Sequence, residues 1–130
     1  NGDVGGNPVN GTYNNFTVIG ANITLGTVIT TGSQYYVAKG VDGTITLNSN
    51  LTAGSGVTPE TNTPGSDIQF VGNVDIAAAT PISVITNGTI SGGEILITGA
   101  LSGNTENLIL DATANGTTSC GGIVSVCTGR

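Results

Sequence analysis

The sequence predicts an all-β fold, and a parallel β-solenoid in particular, as one domain over residues 1–130. Short runs alternate apolar with polar residues, Gly and Asn separate the runs, and one strand pattern recurs about every 20 to 30 residues. Such a recurrence, with two or three strands in each cycle, is typical of a solenoid whose coils stack on one another. An antiparallel, pilin-like β-sandwich is the alternative that the same runs leave open.

Ten runs have the period, the length and the β-branched content of strands. In chain order they cover residues 16–19, 23–25, 28–30, 45–47, 68–71, 74–76, 82–85, 95–97, 108–110 and 123–126. Gly and Asn accept the positive φ of tight turns, and turn pairs lie between the runs at Asp42-Gly43, Asn87-Gly88, Gly92-Gly93, Gly103-Asn104 and Asn115-Gly116. The one helix-favouring run, 77–79, ends at a Thr-Pro pair. The proline-containing segment around 53–66 predicts a surface loop.

Three segments share one form: a small residue, a polar residue, then an apolar pair separated by one position. They are 43–47, 66–70 and 93–97, so the interval from each to the next is similar. We interpret them as equivalent strands in successive coils.

The segments 31–36, 43–53, 66–75, 82–86, 92–99 and 107–112 resemble the repeats of filamentous-haemagglutinin-type exoproteins. The resemblance covers about residues 31–116. It implies a right-handed parallel β-helix, secretion, and a role in adhesion or fibre formation.

The composition excludes several kinds of partner. Charged residues are 8% of the chain against about 25% in an ordinary soluble domain. Lys39 and Arg130 are the only cations against eight carboxylates, and the net charge of −6 disfavours nucleic acid and anionic lipid. No apolar stretch approaches the roughly 18 residues of a membrane span. The chain opens at Asn1 without Met, so we expect a processed or excised piece.

Catalysis is not expected, because the chain has no His and so lacks imidazole bases and ligands. Carboxylate pairs are the remaining candidates: Asp67 with Asp75, or Glu94 with Glu106 and Asp111. Calcium bound through Asp67 or Asp75 stays open, although no spacing matches a calcium loop. No cofactor is predicted. The triplet Thr44-Ile45-Thr46 could begin an ice-binding hydroxyl ladder, but only 61–63 repeats it.

Cys120 and Cys127 are the only cysteines, and six residues that include Gly121 and Gly122 separate them. Their spacing is not CxxC and no His completes a zinc set, so we interpret them as a structural disulfide. A disulfide implies an oxidising compartment, which favours an extracellular or cell-surface location.

Six Asn-x-Ser/Thr sequons are candidate glycosylation sites: Asn10, Asn15, Asn22, Asn50, Asn87 and Asn115. The alternative is that these triplets are simply turn-then-strand chemistry. Tyr35 and Tyr36 are candidate sugar contacts, since an exposed tyrosine can stack on a pyranose face. Adjacent residues of a strand point in opposite directions, so one of the two is expected in the core.

These observations predict a structural or adhesive module that self-associates head-to-tail into a fibre or forms part of a longer adhesin. Free sheet edges would make a second copy of the chain the main partner, with surface glycans as a further one. A pilin-like subunit assembled by strand donation and a carbohydrate-binding module are the alternatives.

Overall fold

The computed structural model describes residues 4–5, 15–54, 66–86, 93–103, 108–112 and 117–120. For 4–5 and 117–120 it describes the backbone alone. These residues form strands and connections without a helix. The strands are β1 (Val4–Gly5), β2 (Phe16–Gly20), β3 (Ile23–Leu25), β4 (Val28–Ile29), β5 (Gln34–Ala38), β6 (Thr44–Leu47), β7 (Leu51–Ala53), β8 (Ile68–Val71), β9 (Asn73–Ile76), β10 (Ile82–Thr86), β11 (Glu94–Ile97), β12 (Leu101–Gly103), β13 (Leu108–Ala112) and β14 (Thr117–Cys120).

The strands belong to three parallel sheets that the chain visits in a fixed rotation. Sheet A has the order β1-β4-β7-β10-β13, sheet B the order β14-β11-β8-β5-β2, and sheet C the order β12-β9-β6-β3. From β2 onward the chain therefore passes through B, C and A four times before it returns to B at β14. This is the stacked-coil architecture of a parallel β-solenoid, and it confirms the predicted fold class.

The antiparallel sandwich is wrong, because every strand pair in the described part of the chain is parallel. A pilin-like subunit built on that sandwich is wrong for the same reason. Nine of the ten predicted runs coincide with strands to within two residues at either end. The tenth, 123–126, and all of the proline-containing loop except its ends lie outside the described residues.

The predicted repeat is half right. Ile68 pairs with Ile95, so the segments 66–70 and 93–97 are equivalent strands of sheet B in successive coils. Segment 43–47 is not equivalent to them, because it forms β6 of sheet C and pairs with β3 and β9. Inward and outward positions alternate identically in sheets B and C, so the local pattern does not reveal which sheet a strand joins.

The core fills the centre of the coils with in-register columns of apolar side chains. In sheet C, Ile23, Ile45 and Val74 stack in successive coils, and all three are buried. In sheet B the ring of Tyr36 stacks on that of Phe70, with centroids 5.6 Å apart. Because each column continues from coil to coil, strands of the same sheet bury equivalent positions throughout the described coils.

Polar side chains also lie inside this core, and the largest of them is that of Gln34. Gln34 is buried at an inward position and donates from Nε2 to the Thr52 carbonyl at 2.9 Å and to Thr30 Oγ1 at 3.1 Å. Its Oε1 accepts from the Tyr36 hydroxyl at 2.7 Å. Both ends of the amide are thus satisfied within the protein, as a buried polar group requires.

A ladder of side-chain oxygens joins the coils along one corner. Just before its strand of sheet B, each coil places an oxygen that accepts the backbone N–H of the equivalent residue in the next coil. Asn15 Oδ1 accepts from Ser33 at 2.8 Å, Ser33 Oγ from Asp67 at 2.9 Å, and Asp67 Oδ1 from Glu94 at 2.7 Å. Polar corner residues therefore fix the stacking of coils beyond what the strand ladders do.

Candidate functional surfaces

The outer face of sheet B carries the most exposed aromatic side chain of the described strands. Thr17, Tyr35, Gln69 and Leu96 occupy in-register, outward positions on β2, β5, β8 and β11, and we call this column the Tyr35 strip. Tyr35 is 38% exposed. Successive strands lie about 4.8 Å apart, so a hydroxyl and an amide flank the ring at one strand spacing on either side.

The two candidate sugar contacts have different environments. Tyr36 is fully buried, donates its hydroxyl to Gln34, and meets Phe16 edge-on at 6.2 Å. Burial raises the pKa of the Tyr36 hydroxyl above its ordinary value. Only Tyr35 therefore remains available to a ligand, in the division of core and surface roles that strand alternation predicts.

The carboxylates proposed as pairs lie on different sides of the solenoid. Asp67 lies at the corner before β8 of sheet B, whereas Asp75 points outward from β9 of sheet C. Glu94 lies in sheet B and Asp111 in sheet A, and Glu106 is outside the described residues. The fold thus separates both pairs, because the members lie on different sheets, with at least one corner of the coil between them. The described part of the chain contains no group of three or more His, Cys, Asp or Glu that could hold a metal ion.

Three of the six sequons have a structural explanation. Asn15, Asn22 and Asn50 are exposed and immediately precede strands, and each Oδ1 accepts a backbone N–H of the next coil, at 2.8, 3.0 and 2.9 Å respectively. In each triplet the residue after Asn points inward and the Thr points outward. The coil pattern therefore generates these sequons without any need for glycosylation. Asn10, Asn87 and Asn115 lie outside the described residues.

In the described strands no second Thr-x-Thr triplet stacks on 44–46, because Thr44 pairs with Asn73 and only the column of Thr46 holds another Thr. Thr24 and Thr46 stack in register on the outer face of sheet C, and Asp75 and Ser102 continue their column. The Ser102 hydroxyl donates to Asp75 Oδ1 at 2.9 Å. The other repeat of the triplet, 61–63, lies outside the described residues. The face is polar, but its column mixes hydroxyls with a carboxylate.

The first and last complete coils leave part of the core uncovered. Inward hydrophobic side chains are only partly buried at Phe16, Val18, Leu101 and Leu108, although all four pack against the core. Their counterparts one coil further in are buried: Val18 pairs with Tyr36, and Leu101 pairs with Val74. At both ends of the described solenoid some inward apolar side chains are thus only partly buried, while others of the same coils, such as Ile23 and Leu110, are buried.

Sequence reasoning missed these end positions and the neighbours of Tyr35, because both depend on the register between distant strands. The number of residues in each coil would reveal this register, but that number differs from one coil to the next. Phe16 pairs with Gln34 and Gln34 pairs with Ile68, so the second of these coils is much longer than the first. The extra residues of the longer coil fall between β7 and β8.

Cys120 ends β14, while Cys127 lies outside the described residues, so their disulfide stays a prediction. No helix in the described ranges is long and apolar enough to cross a membrane. No protein-family model matches the chain, and no significant match was found among curated proteins or solved structures.

Proposed function

We propose that this protein is a non-enzymatic structural module of an extracellular fibre or adhesin, and that copies of it stack head-to-tail through their end coils. The observation that carries the proposal is the partial exposure of core side chains at both ends, since a second copy would extend the same apolar columns. Burying such surface is favourable by about 25 cal/mol per Å². Because the two ends differ, the contact is heterologous and generates an open fibre.

The backbone at the first coil supports this contact. Leu25 accepts the N–H of Asn48 in the next coil. Backbone groups alternate between the two sides of a strand in a parallel sheet, so those of Thr24 point to the other side of β3. No described strand pairs with that side. Proline and charge are the usual protection of such an edge, and β3 has neither.

Sedimentation velocity tests the assembly. We expect the wild-type chain to form polymers that grow with concentration in both low and high salt, because ion pairs contribute little to a chain with two cations. Thr24→Pro removes the N–H at the open edge and should leave monomers. Thr24→Lys should also weaken assembly. Thr46→Lys is its matched control and should leave assembly unchanged. Thr46 is the next residue in the same outward column, but its strand is paired on both sides.

Two results contradict the proposal. One is a sharp wild-type monomer at high micromolar concentration in both buffers. The other is assembly that persists unchanged in Thr24→Pro, provided that its far-UV circular dichroism matches the wild type.

An extracellular location and a Cys120–Cys127 disulfide belong to the same proposal. Support comes from the small loop between the only two cysteines, which would add about 2 to 3 kcal/mol of stability in an oxidising compartment. Intact mass measured without reductant should be two hydrogens below that of the dithiol. Two freely alkylated thiols in native material would contradict the disulfide. The sequons would carry glycans only in a glycosylating host, and enzymatic deglycosylation followed by mass measurement tests that.

A further inference from the structure

The Tyr35 strip has a chemistry that neither the core nor the stacking of coils requires. Core packing accounts for Tyr36, whose ring and hydroxyl both have partners inside the protein. Tyr35 points the other way, from a central strand of sheet B that is paired with β2 on one side and β8 on the other. Its ring is therefore held on the outer face of sheet B by strands on both sides, and 38% of the residue is exposed.

The surroundings of the ring restrict what it could bind. Thr17, Gln69 and Leu96 carry no charge, and the next outward column is aliphatic at Ile19 and Val37 and continues through Val71. Ile19 is 58% exposed, whereas Val37 is buried among its neighbours although it points outward. The surface offers an aromatic ring, a hydroxyl, an amide and aliphatic groups. The strip itself holds no cation for a phosphate, sulfate or uronate. The exposed Lys39 lies beyond the end of β5, whereas Asp67 and Glu94 lie two positions before Gln69 and Leu96, and the net charge of −6 opposes all three anions.

We propose that the Tyr35 strip binds a neutral saccharide chain that lies along the solenoid axis. The ring of Tyr35 stacks on the apolar face of one pyranose. The Thr17 hydroxyl and the Gln69 amide, each about 4.8 Å away along the axis, bond sugar hydroxyls on either side of it. Leu96 and the aliphatic column beside the strip contact the remaining C–H surface. Thr17 and Leu96 lie on strands of the first and last complete coils, but they point outward from sheet B and not toward the ends that would stack, so the protein could assemble without binding sugar, or bind sugar as a monomer.

Isothermal titration calorimetry with three neutral polysaccharides (laminarin, xyloglucan and mannan) and with hyaluronan as the anionic probe tests the site. We expect saturable binding to at least one neutral polysaccharide and none to hyaluronan. Tyr35→Ala removes the platform and should weaken binding about tenfold or more, while Tyr35→Phe keeps the ring and should stay within about threefold of the wild type. Gln69→Ala should weaken binding about threefold to tenfold.

Thr46→Ala is the matched control, because Thr46 points outward from sheet C and lies away from the strip. Binding should be unchanged in this variant, and it should persist in the Thr24→Pro chain whether or not that chain assembles. The proposal is overturned if no neutral polysaccharide binds, if hyaluronan alone binds, or if Tyr35→Ala, folded by circular dichroism, binds as tightly as the wild type. None of these results bears on the sedimentation experiment, so the two proposals fail separately.

Discussion

Replacing Gln34 by Leu should destabilise the protein through a single orphaned group, the Tyr36 hydroxyl. Leu suits the column, since the equivalent positions on β8 and β11 are Ile68 and Ile95, both buried. The carbonyl of Thr52 keeps a partner, because it also accepts the backbone N–H of Thr30 at 2.9 Å. The loss of stability therefore comes mainly from the Tyr36 hydroxyl, which donates to Gln34 Oε1 at 2.7 Å and would have no acceptor in the variant.

The magnitude follows from that one bond. A buried donor left without an acceptor costs about 1 to 3 kcal/mol, so we expect Gln34→Leu to lower the free energy of unfolding by about 2 kcal/mol. Tyr36→Phe alone should cost about 1 to 2 kcal/mol, since it leaves the amide oxygen of Gln34 without its donor. The double variant removes both partners and should lie within about 1 kcal/mol of the wild type.

Urea denaturation followed by far-UV circular dichroism measures all four corners of this double-mutant cycle. The expected coupling energy is about 2 kcal/mol. Strict additivity, with the double variant as unstable as the two single losses combined, would refute the reasoning. Gln34 would then stabilise the coil through its contacts with the neighbouring backbone and not through the hydroxyl.

Three further predictions concern other parts of the coil. Burial raises the pKa of Tyr36 above its ordinary value of 10.0, so the unfolded chain loses this proton first as the pH rises. The free energy of unfolding should therefore be independent of this group below about pH 10 and fall above it by at most about 1.4 kcal/mol per pH unit. In urea titrations Tyr36→Phe should abolish this pH dependence, whereas Tyr35→Phe should retain it. Gly93→Ala places a Cβ against the backbone of the preceding coil and should cost more than about 2 kcal/mol, whereas Gly20→Ala, whose Cβ would meet its nearest atom at 3.3 Å, should cost clearly less in the same assay. Asp67→Ala removes the oxygen that accepts an N–H of the next coil and should cost about 1 to 2 kcal/mol, while Asp67→Asn, which keeps an oxygen there, should stay near the wild type.

Local periodicity predicted most of the fold because the strands of a solenoid are short and alternate strictly. Strand β5 does not follow that alternation, since Gln34 is a polar residue at an inward position and Tyr35-Tyr36-Val37 is a run without a clear apolar-polar period. Strands β12 and β14 were missed because Leu-Ser-Gly holds a single apolar residue and Thr-Thr-Ser-Cys holds only a cysteine.

The candidate surfaces were less accessible to sequence reasoning than the strands. Strand alternation predicts that one of Tyr35 and Tyr36 is outward, but the identity of that residue depends on which face of β5 meets Phe70. The neighbours of Tyr35 are Thr17 and Gln69, which lie at unequal distances before and after it in the chain, and no local pattern encodes those offsets. Asp67 and Asp75 are close in sequence, yet the corner between sheets B and C lies between them and places them on different sides of the solenoid.

The ladder of side-chain oxygens along one corner affects how the solenoid would respond to force. Each side-chain oxygen binds only the coil directly above its own, so tension applied at one end can detach a coil without loosening those beyond its neighbour. A coil such as the one from Asp67 to Glu94 would release on the order of 90 Å of extended chain when it peels away. Under load, the module would therefore lengthen in discrete steps of tens of ångströms while the remaining coils stay wound.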